Sequence, residues 1–200
     1  MEHQATEIEH WDSWNLAYRQ PGIVSVDRAT NRRMEEVLAS LSRLRIPGAR
    51  ILEVGCGTGW LSQRLADFGS VTAVDLGAEI IRKAQASMPH IDFRSGDVLD
   101  LELPVNGFDV AVTVETLAHV ADQVKFVHRI AQLLKPGGHL VLTTQNKFVF
   151  DRCLSPKPAQ GSCGPRTNII CGGGKAIAED LQRRASRPAC RPEERRDRRT

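Results

Sequence analysis

Ile51-Leu52-Glu53-Val54 runs directly into Gly55-Cys56-Gly57-Thr58-Gly59, so a short apolar segment is followed by three glycines at alternate positions. An apolar run of this length reads as a buried strand, and the glycines make it turn sharply. With no Cβ, glycine allows a tight turn and lets a ligand lie against the backbone, while a following helix N-terminus offers unpaired N–H groups. Trp60, Leu61, Leu65 and Phe68 supply a short amphipathic helix, closed by Gly69. A strand, a glycine loop and a helix in that order belong at the carboxyl edge of a parallel sheet, where nucleotides bind. A glycine triplet alone is equally compatible with a plain tight turn, so the neighbouring segments must decide.

Between residues 27 and 144 apolar segments of strand and helix character alternate. Met34, Val37, Leu38, Leu41 and Leu44 recur at helical spacing and stop at Pro47-Gly48. Val71 to Asp75 reads as a second strand. Ile80, Ile81, Ala84 and Met88 mark a helix ended by Pro89, and Ile91 to Arg94 a third strand. Phe108 to Val114 is a nearly continuous apolar fourth strand. Val120, Val124, Val127, Ile130, Ala131 and Leu134 trace the next helix, Lys135-Pro136-Gly137-Gly138 its stop and turn, and His139 to Thr144 a fifth strand. Strands apolar on both faces, with short connections, predict an α/β fold: a parallel sheet covered on both sides.

Two carboxylates follow the glycine loop on the same predicted sheet edge. Asp75 ends the second strand, where it can accept both hydroxyls of a ribose. Asp97, in Gly96-Asp97-Val98, follows the third, where it can take an adenine amino group. A dinucleotide fingerprint would place a further glycine at position 60 so that a helix can approach a pyrophosphate; Trp60 stands there. Glu53 would also repel a pyrophosphate but suits a cofactor bearing an ammonium. A nicotinamide-dependent oxidoreductase is thereby disfavoured.

With these residues in place, residues 51–146 resemble class I S-adenosylmethionine-dependent methyltransferases, most closely the small-molecule group that includes ubiquinone- and menaquinone-biosynthesis enzymes. The resemblance rests on Ile51 to Gly59, Val74-Asp75, Gly96-Asp97-Val98, Val114 to Val120 and Leu133 to Leu140. It implies a Rossmann-like, doubly wound sheet with S-adenosyl-L-methionine as cofactor and a small-molecule methyl acceptor. It also implies that Glu53, Gly55, Cys56, Gly57 and Gly59 lie along the methionine moiety and that Asp75 holds the ribose. Leu76 would pack on the adenine face, Asp97 and the Val98 backbone would read its edge, and Glu115 would lie beside the methionine ammonium. In this family an N-terminal segment often folds over the cofactor, which makes Tyr18 and Arg19 lid candidates. Trp11, Trp14 and Tyr18 share one helical face and equally suit a helix packed on the core.

His119 falls just past the fourth strand, on the side expected for the acceptor. An imidazole there is a candidate general base for a phenol or enol, although a capping or packing role is also open. Holding acceptor and methyl in line should supply much of the rate in either case.

Residues 1–46 thus read as a helical lid or cap, 47–150 as the cofactor-binding core, and 151–200 as a separate tail. The charge divides at the same boundary: 15 Lys/Arg against 18 Asp/Glu in residues 1–150, and 12 against 6 in residues 151–200. The basic charge belongs to the tail, where acidic residues interrupt the arginines, so a nucleic-acid stripe is not expected. Four of the five cysteines (Cys153, Cys163, Cys171 and Cys190) lie in the tail without a Cys-x-x-Cys pair, so no metal site is expected. The acidic start and the lack of a long apolar run point to a cytoplasmic chain.

The tail, rich in Arg, Pro, Gly and Cys, reads as low in order, frame-shifted or truncated. Only Asn168-Ile169-Ile170-Cys171 there has strand character and only Lys175 to Arg184 helical character. The expectation is a sheet lacking the family's last two strands, with the fifth strand left as an apolar edge.

Overall fold

The computed structural model describes residues 28–144 and the backbone of residues 168–173. Six strands form one sheet in the order β3-β2-β1-β4-β5-β6. They are β1 (Ala49–Val54), β2 (Gly69–Asp75), β3 (Asp92–Ser95), β4 (Phe108–Val114), β5 (Leu134–Thr144) and β6 (Asn168–Gly173). Neighbouring strands from β1 to β5 are parallel, and β6 runs antiparallel to β5. Four α-helices accompany them among the described residues: α1 (Arg28–Leu44), α2 (Ser62–Leu65), α3 (Ala78–Ser87) and α4 (Gln123–Leu133).

Alternation within the strands divides the core in two. On one face Ile51, Ala73, Val110 and Val112 pack with Val37 and Leu41 of α1, Leu65 of α2, and Ile81 and Ala84 of α3. On the other, Leu52, Val54, Val74, Ala111, Leu140 and Leu142 pack with Phe126, Val127, Ile130 and Leu133 of α4. Because successive strand residues point to opposite faces, β1 supplies both cores from adjacent positions, which is why it lacks a polar side. The strand order reverses direction between β1 and β4. The carboxyl ends of those two strands therefore border the crevice where open α/β sheets bind ligands.

The ends of the elements follow local chemistry. α1 stops where Arg45 (φ 52°) and Gly48 (φ 61°) take left-handed backbone. α4 begins at Asp122, whose carboxylate accepts the Lys125 N–H at 2.9 Å. The helix after the glycine loop is shorter than its apolar spacing suggests, with only Ser62–Leu65 regular and turns on either side. The expected stop at Lys135 to Gly138 lies within β5. There the pairing with β4 jumps from Phe108↔Leu134 to Val110↔His139, and Gly137 adopts φ 80°.

One expectation needs correction. The fifth strand is not an open edge, because β6 pairs with it from His139↔Gly173 to Thr144↔Asn168. Asn168 to Cys171, the one tail segment with strand character, supplies it. The physical reason is that an apolar strand with unpaired N–H and C=O groups is costly, and an antiparallel partner satisfies them. Deleting residues 168–200 is expected to destabilise the sheet by at least about 2 kcal/mol, given roughly 0.5–1.5 kcal/mol per lost hydrogen bond. Urea melts would measure this, and hydrogen exchange should show slowed amides within residues 168–173 of the intact chain. An unchanged melt after deletion would mean that β6 adds nothing to the fold.

Candidate functional site

The glycine loop leaves β1 directly beneath β2. The N–H groups of Gly55 and Cys56 both donate to the Val74 carbonyl, at 2.8 and 3.1 Å. Gly55, Gly57 and Gly59 all have positive φ, at 80°, 53° and 76°. Two of them also allow close packing against other parts of the protein. A Cβ on Gly55 would fall 2.0 Å from Thr116 Oγ1, and one on Gly59 would fall 2.7 Å from Met88 Cε and Phe93 Cζ. The loop is thus pressed between the segment after β4 on one side and the α3–β3 unit on the other.

Asp75 closes the arrangement from β2. Its Oδ2 accepts the Gly57 N–H at 2.8 Å and its Oδ1 accepts the Gly77 N–H at 3.1 Å. Both oxygens are oriented by backbone donors, and each keeps a further acceptor direction. Leu76, the next residue, is one of two large apolar side chains exposed among the described residues. The Gly96 N–H donates to the Asp75 carbonyl at 2.8 Å and brings the β3 exit alongside. There Asp97 Oδ1 accepts the Leu99 N–H at 2.9 Å, and Val98 is buried. The structure therefore gathers Gly55, Gly57, Asp75, Leu76, Asp97 and Val98 at the ends of adjacent strands.

Glu53 is placed differently. Its side chain is buried under the loop and accepts a hydrogen bond from Ser62 Oγ. Burial pushes its carboxyl up to about 8; the Ser62 hydrogen bond lowers it, and repulsion from Asp75 adds to the rise. Cys56 is buried as well, and burial raises its thiol well above the ordinary range, with Glu53 and Asp75 adding to the effect. Such a thiol packs as a small apolar group. Thr58 Oγ1, also buried in this loop, has no hydrogen-bond partner among the described residues.

Beyond β4, Glu115 adopts φ 59° and donates its N–H to the Thr143 carbonyl at 3.0 Å. Its Oε1 accepts Thr143 Oγ1 at 3.1 Å and lies 3.5 Å from Nε of Arg33. Arg33 reaches this point from α1, so an acid and a base face one another at the mouth of the crevice. Thr116 Oγ1 donates toward the Val54 carbonyl at 3.2 Å, tying this segment to the end of β1. His119 ends a short 3-10 turn, Leu117–His119, with its side chain exposed.

Tyr18 and Arg19 lie outside the described residues. Arg33, Ser62 and Thr116 are contributors that sequence reasoning passed over. Arg33 sits beside Arg32 without any periodic signal to separate them. Ser62 and Thr116 are small hydroxyls in segments read only for their apolar or acidic neighbours. Among the described residues there is no cluster of three or more His, Cys, Asp or Glu that could hold a metal, and no helix long and apolar enough to cross a membrane.

A sheet of this order, with its crevice at the β1/β4 switch and acidic residues closing β2 and β3, defines a Rossmann-like nucleotide-cofactor fold. Residues 52–142, just under half of the chain, match the family model described as a methyltransferase domain. A ubiquinone biosynthesis O-methyltransferase of Xanthomonas campestris pv. campestris is 42% identical over 112 residues, covering 53% of this chain and 47% of the relative. The chain thus spans about half the length of the curated relatives it matches. A solved S-adenosylmethionine-dependent methyltransferase from Mesorhizobium loti superposes with TM-score 0.52 at 26% identity, covering 70% of this chain and 64% of that one. The [4+2]-cyclase SpnF superposes with TM-score 0.57 at 24% identity, covering 84% of this chain and 61% of that one. A cyclase among the neighbours shows that the fold alone does not fix the reaction.

Proposed function

We propose that the chain binds S-adenosylmethionine in this crevice and directs its methyl group to a small-molecule acceptor. A quinone-type phenol is the preferred class, because the matched relatives are named for ubiquinone biosynthesis. The observation that carries the reading is the Asp75 carboxylate, held by the Gly57 and Gly77 N–H groups at the end of β2 with acceptor capacity left on both oxygens. A ribose diol fits that capacity. The amino-acid end of the cofactor is zwitterionic, and the facing Arg33 and Glu115 offer it one group of each charge.

The cofactor supplies an electrophilic methyl on sulfur. What the protein does is bind and orient. Asp75 fixes the sugar, Asp97 and the Val98 backbone meet the adenine edge, and Leu76 covers its face. The glycine loop lies along the methionine portion, with Glu53 and Cys56 packed beneath it. In this reading His119, exposed just past β4, would take a proton from an acceptor hydroxyl. Tyr18 and Arg19 are proposed to close over the site, with residues 1–46 as a lid, 47–150 as the core and 151–200 as a tail. No nucleic acid and no metal enter this reading, and a cytoplasmic setting is proposed.

Calorimetric titration with S-adenosylhomocysteine and, in parallel, NAD tests the cofactor assignment; binding of NAD alone would overturn it. Asp75→Ala should weaken S-adenosylhomocysteine by about a hundredfold. It removes charge-assisted bonds worth roughly 1.5–3 kcal/mol and also releases the Gly57 N–H from its anchor. Equal affinity in mutant and wild type would show that Asp75 does not hold the ribose. Turnover on a phenol panel, against amine and carbon acids, then tests the acceptor class.

A further inference from the structure

Arg129 is a half-buried cation on α4, outside every feature described so far. Its guanidinium does not pair with a carboxylate in the described hydrogen bonds. Nε donates to the Val98 carbonyl at 3.1 Å and one terminal nitrogen donates to the Leu101 carbonyl at 2.8 Å. These two carbonyls bracket a single tight turn. Within it the Asp97 carbonyl accepts the N–H groups of Asp100 and Leu101, at 3.0 and 2.8 Å, while the Asp97 carboxylate accepts that of Leu99. The turn leaves Gly96, whose φ of 141° and close approach to Leu101 allow little else at that position.

The planar fork of an arginine matches two carbonyls in a fixed relation, which a point charge cannot do. Fastening the outer carbonyls of the turn fixes the planes of its peptides. The Val98 carbonyl shares its peptide plane with the Leu99 N–H that holds the Asp97 carboxylate, so the contact fixes the direction of that carboxylate. α4 is a firm base for this contact, since Phe126, Val127, Ile130 and Leu133 bury it against the sheet.

We propose that Arg129 is a positioning residue that sets the adenine-reading turn and so determines base selectivity. The inference rests on the cofactor reading above. Adenine offers an amino donor and a ring-nitrogen acceptor along the edge that Asp97 and Val98 would meet. Hypoxanthine reverses both, presenting a carbonyl and a ring N–H. Discrimination between the two bases therefore reports on the aim of this turn, whereas loss of general packing would weaken both ligands alike.

The test is calorimetry on the full chain with S-adenosylhomocysteine and its hypoxanthine counterpart, S-inosylhomocysteine, on wild type, Arg129→Met and Arg129→Lys. The expected result is a wild-type preference for the adenine ligand. In Arg129→Met, S-adenosylhomocysteine should weaken by at least about tenfold, with the hypoxanthine ligand changing less, so that the preference shrinks. Arg129→Lys keeps the stem and charge and should recover part of the preference, and it decides the question if Arg129→Met does not fold. A wild type that prefers adenine, with variants that keep the same preference, overturns the role of Arg129 and leaves the cofactor reading standing. A wild type without affinity for S-adenosylhomocysteine overturns both.

Discussion

Gly55→Ala is expected to lower folding stability by roughly 2–5 kcal/mol and to abolish measurable S-adenosylhomocysteine binding. Two independent costs combine. The left-handed backbone at Gly55, φ 80°, penalises any residue with a Cβ by about 1–2 kcal/mol. The new methyl would also lie 2.0 Å from Thr116 Oγ1 and 2.8 Å from its Cγ2, and such overpacking costs about 1–3 kcal/mol. Relief requires either the glycine loop or the segment after β4 to move. Both border the crevice, and Glu115 follows β4 directly, so binding falls further than stability. Thermal melts should drop by roughly 10 °C. Adding Thr116→Gly removes the clash but not the backbone strain, so the double variant should recover part of the stability. A Gly55→Ala protein that melts and binds like wild type would mean that the loop is not held as tightly as the contacts imply.

That prediction also shows what the sequence could and could not reveal. The alternation of strands and helices was readable because two-sided burial leaves long apolar runs in β1 and β4 and clear helical spacing in α1 and α4. The glycines marked the loop, yet nothing in their spacing disclosed that the Cβ positions of Gly55 and Gly59 are filled by Thr116 and by Met88 and Phe93. Those contacts join segments remote in the chain, and only the packed fold brings them together. Arg32 and Arg33 make the same point. They are chemically identical neighbours, yet the Arg32 side chain is 79% exposed and pairs along α1 with Glu36, while that of Arg33 is 13% exposed and faces Glu115.

The edge of the sheet was legible in part. Asn168 to Cys171 was the one stretch of the tail with strand character, but the surrounding Gly, Pro and Arg hid its partner. Register is set by the strand that receives it, and β5, apolar and buried from Leu140 to Leu142, provides the template. Glu53 illustrates a different limit. Its charge suits a cofactor bearing an ammonium, but charge alone does not disclose that the side chain is buried beneath the loop against Ser62.

Glu53→Gln is expected to remove a pH dependence of folding. In the folded chain the Glu53 carboxyl is raised from 4.5 to about 8, chiefly because burial disfavours the anion. The unfolded chain releases that proton near 4.5, so between the two values the folded state holds the proton and the unfolded state does not. Stability from this group is therefore full below about pH 4.5 and is lost as pH rises toward 8. At 1.36 kcal/mol per unit the loss reaches up to about 4–5 kcal/mol. Gln keeps the shape and can still accept the Ser62 hydroxyl, but it has no proton to lose. Urea melts from pH 5 to pH 9 should show wild-type stability falling across this window and that of Glu53→Gln falling much less, so that the variant becomes the more stable protein at pH 8.5. The same measurement on Ser62→Ala should show the fall continuing to higher pH than in wild type, since the Ser62 hydrogen bond is what partly holds the Glu53 carboxyl down. Parallel curves for wild type and Glu53→Gln would mean that Glu53 reaches water as an ordinary carboxylate, and its burial under the glycine loop would be wrong.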